Sequence, residues 1–255
     1  MSDEPRSADR TQPLHVGIVG RSIEGAALCL RSFCQEGFRQ LGPHDHPDVT
    51  LDTIAAARSV HLWQTGDHEA IRAILATSVD RLAAAGAAFF VCADNTAHLA
   101  LEAHGPTPLA LPGLHIAEVV AERAASLGAK RVGILGTKST MDGPIYPREL
   151  GLQGIESELP DPDQRRMIDD VIHAELVNAV FTDASREAFV DVIGELAARG
   201  CDAVALVCTE IPLLISPADS PLPTLDSTVL LAQAAFEVAI GQRPFPRWRG
   251  GSTSE

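Results

Sequence analysis

Aromatic residues make up only 4% of the 255 positions, with one tyrosine and two tryptophans, so any core has to be built mainly from aliphatic side chains. No apolar run approaches the roughly 20 residues that a membrane helix requires, which excludes a membrane partner of the spanning kind. Basic residues are also scarce, 20 against 34 acidic ones for a formal charge of −14, and a nucleic-acid partner is excluded because phosphate-tracking proteins cluster Lys and Arg. The five cysteines are an odd number in a chain too long to need disulfide staples. They are expected as free thiols in a reducing, cytoplasmic compartment. A GxxxxGK[ST] phosphate loop is missing, and Gly17, Gly20 and Gly25 do not make GxGxxG. The HDH at His44 to His46 sits between Pro43 and Pro47 as a loop with no second ligand cluster behind it, so no metal site is expected. Residues 1–13 lack an apolar segment and read as a disordered tail, and residues 246–255 read as a second, loose tail.

What the sequence does contain is an alternation of short apolar runs with longer Ala- and Leu-rich stretches of helical period, the pattern of an α/β protein with parallel sheets. Strands are expected at His15–Val19, Val49–Ile54, Ala87–Val91, Arg131–Leu135 and Ala203–Val207. Helices are expected at Glu24–Phe38, Glu69–Ala85, Leu114–Leu127, Pro162–Asn178, Ser185–Arg199 and Thr228–Ile240.

The chain also repeats itself. VGIVG at Val16 to Gly20 recurs as VGILG at Val132 to Gly136, a shift of 116 residues, and the same shift carries FVC ending at Cys92 onto LVC ending at Cys208. Two elements sharing one offset predict two pseudo-symmetric α/β lobes with a cleft between them. The first lobe is expected to comprise residues 14–110 with 220–245, and the second residues 111–219. Open α/β sheets bind ligands at the carboxyl ends of their strands, where Cys92 and Cys208 both fall.

Two opposed thiols suit proton transfer at carbon, one removing a proton from one face while the other delivers a proton to the opposite face. That chemistry inverts a stereocentre. Each cysteine is followed two positions later by a carboxylate, Asp94 and Glu210, either of which can hold a substrate ammonium group or shuttle the thiol proton. Taken singly, each cysteine fits core packing as readily as catalysis, and Cys29, Cys34 and Cys201 are read as structural.

CADNTAH at Cys92 to His98, CTEIPLL at Cys208 to Leu214, GILGTKSTMDGPIY at Gly133 to Tyr146 and LPTLDST around Asp226 together resemble the aspartate/glutamate racemase family, particularly its aspartate racemases. The resemblance spans about His15 to Ala239. It implies a cofactor-independent amino-acid racemase, commonly a homodimer, acting on an amino acid or related carboxylate, with aspartate as the first candidate. It also implies Cys92 and Cys208 as the acid/base pair, and Ser22, Asn95, Thr96, Thr137, Ser139, Thr140 and Thr209 as substrate-binding residues. Glutamate or hydantoin racemases, maleate isomerases and a non-catalytic small-acid binding protein are the alternatives. Three features depart from the family pattern. Ala93 and Asp94 separate Cys92 from Asn95 where the family runs Cys-Asn-Thr; Ser22, Glu24 and Gly25 stand in place of GGMGP; and Val177 or Asn178 falls where a lysine can hold a distal carboxylate. Arg21, Arg58 and Lys138 are the remaining candidates for that positive charge.

Overall fold

The computed structural model describes residues 12–253. Most of the expected N-terminal tail therefore lies outside the described residues. The first lobe runs β1 (Val16–Gly20), α1 (Ile23–Leu41), β2 (Val49–Thr53), α2 (Val60–Thr65), α3 (His68–Ala84), β3 (Phe89–Cys92) and α4 (Asn95–Leu101), followed by α5 (Ile116–Ser126). The second runs β4 (Arg131–Gly136), α6 (Lys138–Met141), α7 (Ile145–Leu152), β5 (Glu156–Glu158), α8 (Pro162–Ala174), α9 (Asp183–Ala198), β6 (Ala203–Val207), α10 (Ile211–Leu214) and β7 (Thr224–Asp226), and the chain then enters α11 (Ser227–Ala239). Every strand pairs in parallel, in the orders β2-β1-β3 and β5-β4-β6-β7. Strands β1, β3 and β6 are buried along their whole length, which is why they read as continuous apolar runs rather than as alternating ones. No described helix is long and apolar enough to cross a membrane.

Local chemistry sets the helix ends. Ser22, Asp67, Asp94, Asp161 and Asp226 each accept a first-turn N–H, and Asp161 forms a reciprocal capping box with Gln164. The helix expected over Pro162–Asn178 stops at Ala174, where Glu175 departs from helical backbone (φ −116°, ψ −65°), and resumes as a short 3-10 turn at Leu176–Asn178 that ends where Ala179 turns into the left-handed region at φ 56°. The five expected strands and the other helices lie within about three residues of their expected bounds.

Two expectations about organisation are corrected. Residues 220–245 do not simply rejoin the first lobe: β7 extends the second sheet beside β6, and only then does α11 cross to pack on α1 and α5. Phe236 of α11 meets Phe33 of α1 edge to face, with ring centroids 6.0 Å apart. Helix α5 likewise serves both lobes, sending Ile116 and Val119 into the first core and Ala117, Val120 and Ala124 into the second.

The C-terminal segment is not loose across residues 246–253, although its last two residues lie outside the described chain. It is strapped to the first lobe by backbone bonds from Leu109 N–H to Arg249 O (3.0 Å), Gly113 N–H to Trp248 O (2.8 Å) and Gly251 N–H to Leu101 O (3.1 Å). The Trp248 ring stacks on His98 at 5.8 Å and lies 5.0 Å from His115. Its composition shows no period because the attachment uses main-chain groups, the Trp248 ring and the Arg249 guanidinium, which donates to the carbonyls of Leu109 (2.9 Å) and Ala110 (2.8 Å).

His98 is fully buried, and its ring spans two elements: Nδ1–H donates to the Asp94 carbonyl (2.9 Å) while Nε2 accepts from Ile116 N–H (3.3 Å). Those partners require the neutral tautomer, since a proton on Nε2 would face an N–H. Burial, helped by repulsion from His115, lowers the imidazole to about 3. The unfolded chain protonates this group near about 6.5, so it binds more protons than the folded chain across that window, and stability is lost as pH falls from about 6.5 towards about 3. Urea unfolding at about pH 7 and about pH 4.5 is expected to show a larger loss for the wild type than for His98→Gln, which starts less stable but lacks the titrating ring.

Candidate active site

At the carboxyl ends of β1, β3, β4 and β6 the two sheets face a cavity of about 530 Å³, a size suited to a small ligand. The lining comes from the turns that leave these strands: Arg21 and Ser22 after β1, Asp94 to Thr96 after β3, Thr137 and Ser139 after β4, and Cys208 to Glu210 after β6. Each turn leads directly into a helix, so the starts of α1, α4, α6 and α10 are gathered around one space. Gly25 allows the close approach of α1, since a Cβ there would lie 2.6 Å from Thr209 Cγ2 in one lobe and 2.7 Å from the Ala93 carbonyl in the other.

Cys208 is 8% exposed on the cavity wall, and its thiol donates to Glu210 Oε2 at 3.0 Å. The same oxygen accepts from Thr209 Oγ1 (2.6 Å), and Ser22 Oγ of the opposite lobe donates to Oε1 (3.3 Å). Burial pushes the Cys208 thiol well above its ordinary value, the Glu210 charge and hydrogen bond push it further, and the charge of Asp94 adds to both. Cys208 therefore rests as a thiol.

Cys92, the expected second thiol, does not line the cavity. It is wholly buried with Val19, Leu75, Phe90 and Ala97 in the first lobe's core, where burial raises its pKa far beyond the thiol range. Asp94 takes the wall position instead. Its Oδ1 accepts from Ala97 N–H (2.9 Å) and its Oδ2 from Arg21 Nη1 (2.6 Å), and the Arg21 guanidinium lies over the Trp63 ring at 4.8 Å. Arg21 Nε is buried with no partner and borders the same cavity.

The other expected binding residues divide into two groups. Ser22, Thr96, Thr137, Ser139 and Thr209 line the cavity. Thr140 stands behind it, closing a hydroxyl triangle with Thr96 (3.2 Å) and Thr137 (3.0 Å) that joins the lobes. Asn95 lines the cavity, yet its amide is engaged across the lobes, donating to Ser227 Oγ (3.0 Å) and accepting from Tyr146 Oη. Arg58 and Lys138 do not line it, Lys138 Nζ being bonded to Asp142 (2.7 Å). Lining residues absent from the sequence-based site include Arg21's partner Trp63 and Ile172 and His173 of α8, while Val177, one of the two positions aligned with the family's distal-carboxylate lysine, does line the cavity. Among the described residues no group of three or more His, Cys, Asp or Glu is arranged to hold a metal ion.

Comparison with known proteins agrees with this architecture. Residues 31–235 match the Asp/Glu/hydantoin racemase family. The broad specificity amino-acid racemase RacX of Bacillus subtilis is 24% identical over 202 residues, 79% of this chain and 86% of that one. A crystal structure of a candidate Asp/Glu racemase from Yersinia pestis superposes with a TM-score of 0.79 at 30% identity, covering 89% of this chain and 99% of the other. The aspartate racemase of Picrophilus torridus gives a TM-score of 0.72 at 25% identity over 89% and 94% of the two chains. With the family match covering most of its length and the two-lobed fold shared throughout, this chain belongs to the Asp/Glu/hydantoin racemase family.

Proposed function

We propose that the protein racemises a free amino acid by moving the α-proton, with Cys208 as one of the two acid/base groups and without pyridoxal phosphate. The observation that carries this reading is the Cys208 thiol, held by Glu210 on the wall of a cavity flanked by helix N-termini from both lobes. Loss of an α-proton places negative charge on the substrate carboxylate. The hydroxyls of Thr96, Thr137 and Ser139 line the cavity as donors that can stabilise it. Among the described residues no lysine, the residue that tethers pyridoxal phosphate, lines this cavity, which supports a reaction carried by the chain's own groups. The five free cysteines support a reducing, cytoplasmic setting.

Aspartate, the first candidate from the sequence, fits the cavity's charge poorly. Glu24, Asp94 and Glu210 place three carboxylates on the lining, against the Arg21 guanidinium, which Asp94 already engages, and the exposed His173, which lies 3.7 Å from Asp169. A second substrate carboxylate would enter a negative field, whereas an ammonium group is attracted by it. Ile23, Trp63, Ile172 and Val177 supply apolar contact for an aliphatic side-chain stem. The substrate class supported is thus an amino acid with a neutral or cationic side chain.

Proton exchange in heavy water, followed by mass spectrometry and chiral chromatography, tests this reading over alanine, methionine, lysine, arginine, aspartate and glutamate. Deuterium at Cα with inversion is expected for the neutral and cationic members, ahead of the two dicarboxylates; binding with no exchange for any of the six would leave a non-catalytic binding protein. Glu210→Gln is expected to lower the Cys208 pKa by removing the adjacent negative charge. The pH profile of Cys208 alkylation by iodoacetamide should then move to lower pH, and an unmoved profile would remove Glu210 from control of the thiol.

A further inference from the structure

The reading of two matched thiols depends on one offset applying to both halves, and the strand registers show that it does not. In the first sheet Val16 lies opposite Phe89, and in the second Val132 lies opposite Ala203. The strands β1 and β4 therefore correspond at a shift of 116 residues, but their partners β3 and β6 correspond at 114. Gly136, the counterpart of Gly20, lies opposite Val207, so Cys208 follows the last rung of its ladder. In the first sheet the last rung is Val19 opposite Cys92. Continuing that register past Gly20 and Ala93 makes Asp94 the positional counterpart of Cys208.

Burial and electrostatics agree with the register. Asp94 and Cys208 both border the cavity, and Asp94's charge reaches the Cys208 thiol. Cys92 is sealed in the core two residues behind Asp94.

Resting on the racemase reading above, we infer that Asp94, and not Cys92, is the second acid/base group, so that the α-proton moves between a carboxylate on the first lobe and a thiol on the second. Asp94, ion-paired to Arg21, takes the α-proton from one face; the C–H bond breaks and its electron pair passes into the substrate carboxylate. The Cys208 Sγ–H then delivers a proton to the opposite face of Cα, leaving a thiolate opposite a carboxylic acid. Proton exchange with solvent restores the starting pair, and the other enantiomer traverses the same steps in reverse. No oxidant, metal or co-reactant enters the balance.

Enantiomer-resolved exchange separates the groups. Full-length wild type, Asp94→Asn, Cys208→Ser and Cys92→Ala are each incubated in heavy water with the separate L and D forms of the alanine, methionine, lysine or arginine that the wild type turns over fastest. Asp94→Asn is expected to lose racemisation by about 10²- to 10⁴-fold while Cys208 still exchanges the α-proton of one enantiomer with retention. Cys208→Ser should show the complementary pattern, exchanging only the other enantiomer, and Cys92→Ala should racemise as the wild type does. Asp94→Ser, which keeps an oxygen at the N-cap of α4, is the second variant if Asp94→Asn does not fold. Racemisation by the Asp94 variants, loss of exchange for both enantiomers in them, or loss of racemisation in a folded Cys92→Ala would each overturn the assignment of Asp94. An inactive wild type would instead overturn the racemase reading itself.

Discussion

The register of β1 against β3 is the constraint on which the cleft depends. A parallel ladder fixes how far each strand projects beyond its neighbour, and thereby which residue of the following turn emerges at the carboxyl edge. With Val19 opposite Cys92, the last ladder residue stays in the core and the turn presents Asp94. With Gly136 opposite Val207, the other ladder ends one residue before Cys208 and presents the thiol. Helix capping reinforces the first outcome, because Asp94 is also the N-cap of α4 and its carboxylate is aimed by Ala97 N–H and Arg21. The two edges are thus related in geometry while differing in chemistry.

The edges must also be held against each other, and a small set of buried polar bonds does this. Asn95 joins the β3–α4 turn to Tyr146 of α7 and Ser227 of α11, and Ser227 Oγ continues to the Leu206 carbonyl in β6. The hydroxyl triangle of Thr96, Thr137 and Thr140 and the bond from Ser22 to Glu210 cross the same seam. Buried polar groups are costly unless paired, so a shift of one lobe against the other leaves several of them unsatisfied together. The cleft is consequently set by directional bonds at its floor, while the apolar bulk of α1, α5 and α11 supports it from behind.

Much of this was legible in the sequence for a physical reason: buried parallel strands are continuous apolar runs, and helices announce themselves by their period and their capping residues. VGIVG, VGILG and the CTE turn are visible in that way. The identity of Cys92's role was not, because side chains alternate with a period of two and a two-residue slip between the halves leaves the apolar pattern unchanged. FVC and LVC match at a shift of 116, although the strands themselves are paired at 114. The one available signal was the separation of Cys92 from Asn95 by Ala93 and Asp94, which places Asp94 directly before Asn-Thr. Residues 246–253 were illegible for another reason, since main-chain bonds to Leu101, Leu109 and Gly113 leave no mark on composition.

A carboxylate facing a thiol raises the question of how unlike bases can serve a reaction whose two directions are energetically equal. Carboxylic acids and thiols differ by about 4 to 5 pKa units in water, each unit being worth about 1.4 kcal/mol. Here the Cys208 thiol is raised further by burial, Glu210 and Asp94, so Cys208 keeps its proton at rest. A carboxylate is the weaker base, which makes proton removal by Asp94 harder. A Cys208 thiolate is the stronger base, but the state that contains it, with the proton on Asp94, is rarer by the same difference in pKa. The two penalties cancel when both directions are counted from the resting enzyme, as the equal stability of two enantiomers demands. What the unlike pair does establish is a definite resting protonation state, which two identical thiols lack, and this state presents a base to one lobe's side of the substrate and an acid to the other's.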